Sequence, residues 1–256
     1  DRVSILRKGE YVGTVPTREA TELSLTEMMV GKKVKLDIER TKTENKRLRL
    51  RVQGLTCYNK EGAKALDNVS FEAYSGEILG IAGISGCGQK ELLEAIAGLQ
   101  PSAPGSSIEY FPPDSEAEKQ LVGLSPKKIR QNGIALSFVP EDRLGMGLVG
   151  SMGMTGNMML KSYGRGLPFF TSVKGPKTLA EKIRDELEVV TPGVNTPVRR
   201  LSGGNVQKVL VGREIAAAPT VLMTAYAVRG LEINTSYTMY HLLNEQKKNG
   251  VAVIYV

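Results

Sequence analysis

GISGCGQKELLEAIAGL, residues 83–99, has the outline of a phosphate-binding loop running into a helix, but its lysine stands one place late. The apolar run before it, GEILGIAG (76–83), has the length and character of a buried strand. Gly83, Gly86 and Gly88 supply the backbone freedom a phosphate cradle needs. KELLEAIAGL then carries apolar residues at helical spacing, with Gly98 as a stop signal. Strand, glycine loop and helix N-terminus together make an anion site, because free backbone N–H groups converge there. The full pattern, G-x-x-x-x-G-K-[ST], puts Lys on the β- and γ-phosphates and Ser or Thr on magnesium. Gly83 and Gly88 keep the spacing, while Gln89 holds the Lys position and Lys90 the Ser/Thr position. The cradle residues Ser85, Cys87 and Glu91 complete the candidate nucleotide contacts. A glycine-rich turn without a ligand is the competing reading of this stretch taken alone.

Composition narrows the classes. The chain has 256 residues, 41% hydrophobic and 24% charged, as ordinary globular domains do. No apolar run approaches the roughly 20 residues of a membrane span, and the nearest, 215–228, is broken by Pro219. Two cysteines, Cys57 and Cys87, form neither a disulfide framework nor a metal spacing and suit a reducing compartment. With His241 as its single histidine, the sequence argues against a zinc site or a histidine-based triad, and His241 reads as a surface or boundary residue. The net charge of +7 suits a nucleic acid, an anionic lipid or a phosphate ligand. Much of the excess lies in KKVKLDIERTKTENKRLRLR (32–51), which has no interleaved aromatics and reads as a solvated connector entering an edge strand. No nucleic-acid partner is expected from it.

Along the chain, DRVSILRKGEYVGT predicts a hairpin turning at Lys8-Gly9. TELSLTEMMVGKK predicts a helix capped at Thr21 or Ser24 and stopped at Gly31. LRLRVQGLT and KALDNVSFEAYSGEILGIAG read as several short strands, and the Pro-rich PSAPGSSIEYFPPDSE (101–116) as loop. GIALSFVPEDR is a buried strand with a charged exit; TLAEKIRDELEVV is an amphipathic helix. LSGGNVQKVLVGREIAAAP predicts a loop opening a helix, TVLMTAYAV a buried strand, SYTMYHLLNEQKKNG a helix and GVAVIYV a final strand. Strands alternating with helices behind a phosphate loop predict an α/β fold with a largely parallel sheet. The start at Asp1 and the strand at the other end read as an interval of a longer polypeptide.

LSGGNVQK (201–208), downstream of a phosphate loop, resembles the signature motif of ABC-type ATPases. GGNVQK, VPEDR (139–143), RGLE (229–232) and the Gln89–Glu91 pair resemble bacterial importers of simple sugars and nucleosides, whose two ATPase halves share one polypeptide. The second half of that family typically carries Gln at the phosphate-loop Lys position. The resemblance covers nearly the whole chain and is strongest for the nucleoside branch. It implies the tail of a first half at 1–31, a basic linker at 32–50, and a second nucleotide-binding domain at 51–256 with its helical subdomain at about 145–215. The implied fold is a P-loop core with a largely parallel sheet, an antiparallel β subdomain and a helical subdomain.

The same resemblance implies ATP as ligand, with magnesium at the competent site of the longer protein. Its partners would be the first ATPase half, transmembrane permease subunits and, indirectly, an extracytoplasmic solute-binding receptor, at the cytoplasmic face of a bacterial membrane. Tyr58 matches the adenine-stacking aromatic and Glu141 the glutamine after the middle strand. Aligning Arg229, Gly230 and Leu231 with the family's RGL puts Ala225 and Tyr226 where the magnesium-binding Asp and the water-activating Glu belong. Neither replaces a carboxylate, and losing a positioned base alone costs roughly 10²–10⁴ in rate. The switch histidine would fall beyond Val256. This loop is therefore expected not to turn over. The signature residues Leu201, Ser202, Gly203, Gly204, Asn205 and Gln207 would instead cap a nucleotide held by the other half. Lys90 suggests an ammonium standing in for the metal, so that nucleotide binds with little need for magnesium. Met146, Met152, Met154, Met158 and Met159 suit either an adaptable permease contact or an irregular core. Three further readings stay open: a working ATPase using Lys90, a nucleic-acid-associated ABC module using the basic connector, and a purely structural partner domain with no ligand.

Overall fold

The computed structural model describes residues 1–7, 9–31, 43–59, 61–84, 86–115, 117–162 and 172–256. Lys8, Ser85 and the greater part of the basic connector, 32–42, lie outside the described residues, as do 163–171 of the helical region.

The hairpin forms as its alternation predicts, with β1 (Arg2–Arg7) antiparallel to β2 (Glu10–Pro16). Helix α1 (Glu22–Val30) follows. Thr21 and Ser24 each bond the other's backbone N–H, a reciprocal cap, and Gly31 ends the helix at φ 80.

Two long strands replace the several short ones expected. β3 (Leu48–Tyr58) and β4 (Lys64–Tyr74) pair antiparallel, and β3 begins inside the 32–50 connector. Along β3 the buried positions run Leu50, Val52, then Leu55, Cys57. The phase changes where the register shifts between Val52 and Leu55, with Gly54 at φ 60, a bulge that only a residue without Cβ enters cheaply. β5 (Glu77–Gly80) then leaves for a second sheet and leads to α2 (Gln89–Ile96).

The Pro-rich stretch is not all loop. β6 (Ser107–Tyr110) pairs with β3 and buries Ile108 and Tyr110, and β7 (Lys119–Gln120) closes an antiparallel sheet of order β4-β3-β6-β7. The flanking prolines hid the S-I-E-Y alternation. Beyond it come α3 (Pro126–Gln131), β8 (Leu136–Val139), α4 (Met154–Met159), α5 (Lys174–Glu186), α6 (Gly203–Ala216), β9 (Val221–Thr224), α7 (Ile233–Lys248) and β10 (Ala252–Tyr255). Strands β5-β10-β9-β8 form a fully parallel sheet, as expected.

This parallel sheet divides two cores by simple alternation. Met223 and Ile254 face a cluster with Leu92, Leu93 and Ile96 of α2 and Leu50 and Val52 of β3. Leu222 and Val253 face the opposite cluster, with Val209 and Leu210 of α6 and Met239 of α7. Each such fully buried side chain contributes about 1.5–3 kcal/mol. The two sheets are also tied by a 2.6 Å hydrogen bond between the Tyr110 and Thr220 hydroxyls. Of the methionines, Met154 and Met158 are core, while Met146 and Met152 are exposed.

One ionic cluster sits inside the helical region. Glu214, 1% exposed, accepts from Arg213 Nη2 at 2.8 Å and Lys161 Nζ at 2.7 Å. Arg213 also donates to the Gly147 carbonyl at 2.6 Å, joining α6 to the π-helical turn Arg143–Gly147.

Candidate nucleotide site

The loop 81–88 leaves β5 and enters α2 through Gly88, which stands at φ 91 and acts as N-cap with no side-chain cap. A Cβ on Gly88 would lie 2.4 Å from the Ala65 carbonyl oxygen, so glycine is required there by contact as well as by φ. Gly86 is also left-handed, at φ 88, but with open space around it. The uncapped first turn of α2 therefore presents backbone donors to the loop, as a phosphate cradle needs.

Gln89 is not directed outward. It is 5% exposed, and its Nε2 donates to the Ile84 carbonyl at 3.2 Å. The same nitrogen lies 2.3 Å from where a Cβ on Gly83 would stand. The amide thus folds into the loop between Gly83 and Ile84 and holds its shape from within. Lys90, 57% exposed, runs along its own helix, with Nζ 3.8 Å from Glu94 Oε1 one turn further on. Glu91 lies in the same turn, partly buried, and Cys87 is exposed. Cys57, by contrast, is a core residue, and burial pushes its thiol up.

Tyr58 ends β3, opposite Lys64 and beside the Ala65–Leu66 pair that contacts Gly88. The residue is 48% exposed, and its carbonyl accepts from Gln100 Nε2 at 2.6 Å. The structure therefore brings Tyr58 to the flank of the loop, with its side chain about half exposed.

Ala225 and Tyr226 follow β9, separated from the exit of β5 by β10, so roughly 10 Å to the side. Ala225 N–H donates to the Val139 carbonyl at 2.8 Å, which brings the exits of β8 and β9 together. Ala225 is buried, and Tyr226 takes φ 50, a left-handed conformation costly for a large side chain. Just before them Thr224 is fully buried, and its Oγ1 has no hydrogen-bond partner among the described residues. Glu141, after β8, does carry a carboxylate here, but Arg229 pairs with it and also lies over the Tyr226 ring at 5.6 Å.

Arg143 has a role the local sequence did not disclose. Its Nη2 donates to the Arg229 carbonyl at 2.6 Å, and its Nη1 lies 3.4 Å from a Cβ position on Gly203. Burial lowers its pKa. One guanidinium therefore links the exit of β8, the turn after β9 and the signature loop.

At that loop Ser202 caps α6, its Oγ accepting from Asn205 N at 3.4 Å and from Asn205 Nδ2 at 3.0 Å. Asn205 Oδ1 accepts from Val190 N–H at 3.0 Å. Leu201 is partly buried, Ser202 and Gly203 are exposed, and Gly204 admits Thr235, whose Oγ1 would touch a Cβ at 3.0 Å. Gln207 is buried, and its Oε1 has no partner among the described residues. The phosphate loop and the signature thus occupy helices on opposite faces of the parallel sheet, and this chain does not bring them together.

The described residues contain no group of three or more His, Cys, Asp or Glu placed to hold a metal ion. They contain no helix long and apolar enough to cross a membrane. His241 lies exposed on α7, as its sequence context suggested.

Comparison with known proteins agrees with this fold. The family model described as ABC transporter matches residues 66–224. The guanosine import ATP-binding protein NupO of Bacillus subtilis is 34% identical over 257 residues, covering 99% of this chain and 49% of that protein. The ribose import ATP-binding protein RbsA of Clostridium tetani is 34% identical over 259 residues, covering 100% and 48%. The chain spans about half the length of the curated relatives it matches. Among solved structures, the dimeric ABC transporter cassette MJ0796 superposes with a TM-score of 0.66 at 23% identity, covering 81% of this chain and 87% of that one. This last likeness bears on the fold alone.

Proposed function

The chain belongs to the ABC transporter family, and from that membership we propose that it is a nucleotide-binding half of an importer whose own site does not hydrolyse ATP. The import relatives named for guanosine and ribose favour a nucleoside or simple sugar as the solute. In the proposed arrangement 1–31 closes a first ATPase half, 32–50 links the two, and 51–256 is the second half, with its helical subdomain at about 145–215. Permease subunits, and through them a solute-binding receptor, are the further partners at the cytoplasmic face of the membrane.

The exit of β9 carries this proposal. Ala225 and Tyr226 leave no carboxylate there, and the nearby Glu141 is engaged by Arg229. The loop itself fits phosphate oxygens, because its contacts come from backbone N–H groups at Gly86, Gly88 and the uncapped start of α2. Magnesium fits poorly: Lys90 occupies the hydroxyl position and Ala225 the carboxylate position. With both the metal ligands and the base missing, electrostatic stabilisation of phosphoryl transfer is largely lost.

The intact signature supports action in trans. Ser202, Gly203 and Gly204 present a hydroxyl and backbone donors at the start of a 14-residue helix, exposed for a γ-phosphate held by another half. A working ATPase based on Lys90 is less favoured, since that ammonium is turned toward Glu94.

Equilibrium ATP binding with magnesium and with chelator, followed by a hydrolysis assay, tests the proposal. Binding that survives chelation without turnover is expected. Magnesium-dependent turnover by the chain alone would sink it, and affinity that collapses on chelation would remove the magnesium-independent loop.

A further inference from the structure

Strand β3 and the residues before it carry a ladder of arginines, Arg47, Arg49 and Arg51, two residues and hence about 7 Å apart. Arg51 is fully matched. Its Nε lies 2.8 Å from Glu72 Oε1 and its Nη1 3.2 Å from Glu109 Oε2. Arg49 makes one long bond, Nη1 to the Phe111 carbonyl at 3.5 Å. Neither Arg47 nor Arg49 pairs with a carboxylate among the described residues.

Both unmatched arginines line a cavity of about 330 Å³, together with Asn45, Asn249, Ser75 and Thr220, and among the described residues no Asp or Glu stands on its wall. Ser75 is 8% exposed and accepts from the Arg47 backbone N–H at 2.9 Å, which leaves its own hydroxyl proton free to donate. The cavity is at the small end of the range for ligand pockets and larger than one phosphate group requires.

Its place in the fold separates it from the nucleotide loop. Thr220 immediately precedes β9, Ser75 lies two residues before β5, and Asn249 lies three before β10. These positions mark the N-terminal edge of the parallel sheet, whereas the phosphate loop leaves its C-terminal edge. Four-residue strands put about 13 Å between the two edges.

We infer that this cavity is a second anion site, which binds a small phosphate ester independently of ATP. The guanidinium groups of Arg47 and Arg49 and the Ser75 hydroxyl line one cavity and supply donors for a tetrahedral oxyanion, the chemistry that arginine serves best. The asparagine amides supply donors and acceptors for hydroxyls on the remainder of the ester. The inference does not depend on the proposed importer role.

Isothermal titration of the chain at fixed ionic strength with glycerol 3-phosphate, inorganic phosphate and glycerol tests it. Glycerol 3-phosphate is expected to bind and glycerol not to. Inorganic phosphate that binds with the same arginine dependence also supports the site, and a weaker affinity than the ester's assigns the remaining energy to the asparagine contacts. Arg47→Gln with Arg49→Gln should weaken the ester by about tenfold or more. Arg47→Gln alone, at an exposed position, and Asn249→Asp, which supplies a competing carboxylate, should each weaken it without unfolding the chain. ATP affinity should be unchanged in all three. Ester binding that is equal in all variants, or that is lost only in Gly88→Ala, overturns the inference. So does binding of a single-stranded oligonucleotide through these arginines with no binding of the ester.

Discussion

Arg229 and Glu141, 88 residues apart in the chain, form an ion pair across the exits of β8 and β9. Arg229 thereby offsets the charge of Glu141 while its guanidinium lies over the Tyr226 ring. The pair is open to solvent, with side chains 65% and 40% exposed. Arg229→Ala and Glu141→Gln should therefore each change stability by less than about 1 kcal/mol, and a double-mutant cycle in urea should give a coupling of the same small size. A coupling of several kcal/mol would show that the pair is shielded from water.

Glu214 is the opposite case. Removing it strands Arg213, almost fully buried, and Lys161 without their shared carboxylate. Glu214→Ala should cost about 3–5 kcal/mol in chemical denaturation. Lys161→Met should cost less, because Arg213 still satisfies the carboxylate. Equal losses from the two would contradict the geometry.

Gly86 and Gly88 separate strain from contact. Both sit at left-handed φ, so alanine costs about 1–2 kcal/mol at either. Only Gly88→Ala also drives a methyl against the Ala65 carbonyl. It should lower Tm further than Gly86→Ala and abolish ATP binding, since the chain must shift where α2 begins.

How far the site could be read in advance varied with the range of the interaction. The glycine loop, the cap at Thr21, and the continuous apolar runs of β9 and β10 were legible because each is a local pattern. β6 was not, because its prolines outweighed four alternating residues. The inward turn of Gln89 and the bridge from Arg143 to Arg229 were not legible either. Nothing in a local pattern specifies which carbonyl a side chain 86 residues away will meet. The full lengths of β3 and β4 were not legible, because the alternation of β3 changes phase at Gly54 and the stretch to Tyr74 read as several short strands.

Tyr255 gives the chain an alkaline limit. Burial, and then the adjoining Tyr240 hydroxyl, push its phenol up to about 12. The unfolded value is about 10. The folded state holds this proton more tightly, so the contribution is fully present below pH 10 and lost as pH rises toward 12. With the residue only about half enclosed, the loss is about 1 kcal/mol after allowance for solvent screening. The difference in stability between wild type and Tyr255→Phe, measured by urea titration from pH 9 to 12, should fall across that window. A constant difference would remove Tyr255 as the cause.

The two strands that alternate between both cores, β9 and β10, also set how the molecule comes apart. Their residues are packed from above and below, with Leu222, Met223, Val253 and Ile254 all at 0% exposure. Neither core can open while the other stays closed without baring one face of these strands to water. Their amide protons should accordingly be the last to exchange with deuterium, and all with one common opening free energy, because only the event that dissolves both cores together releases them.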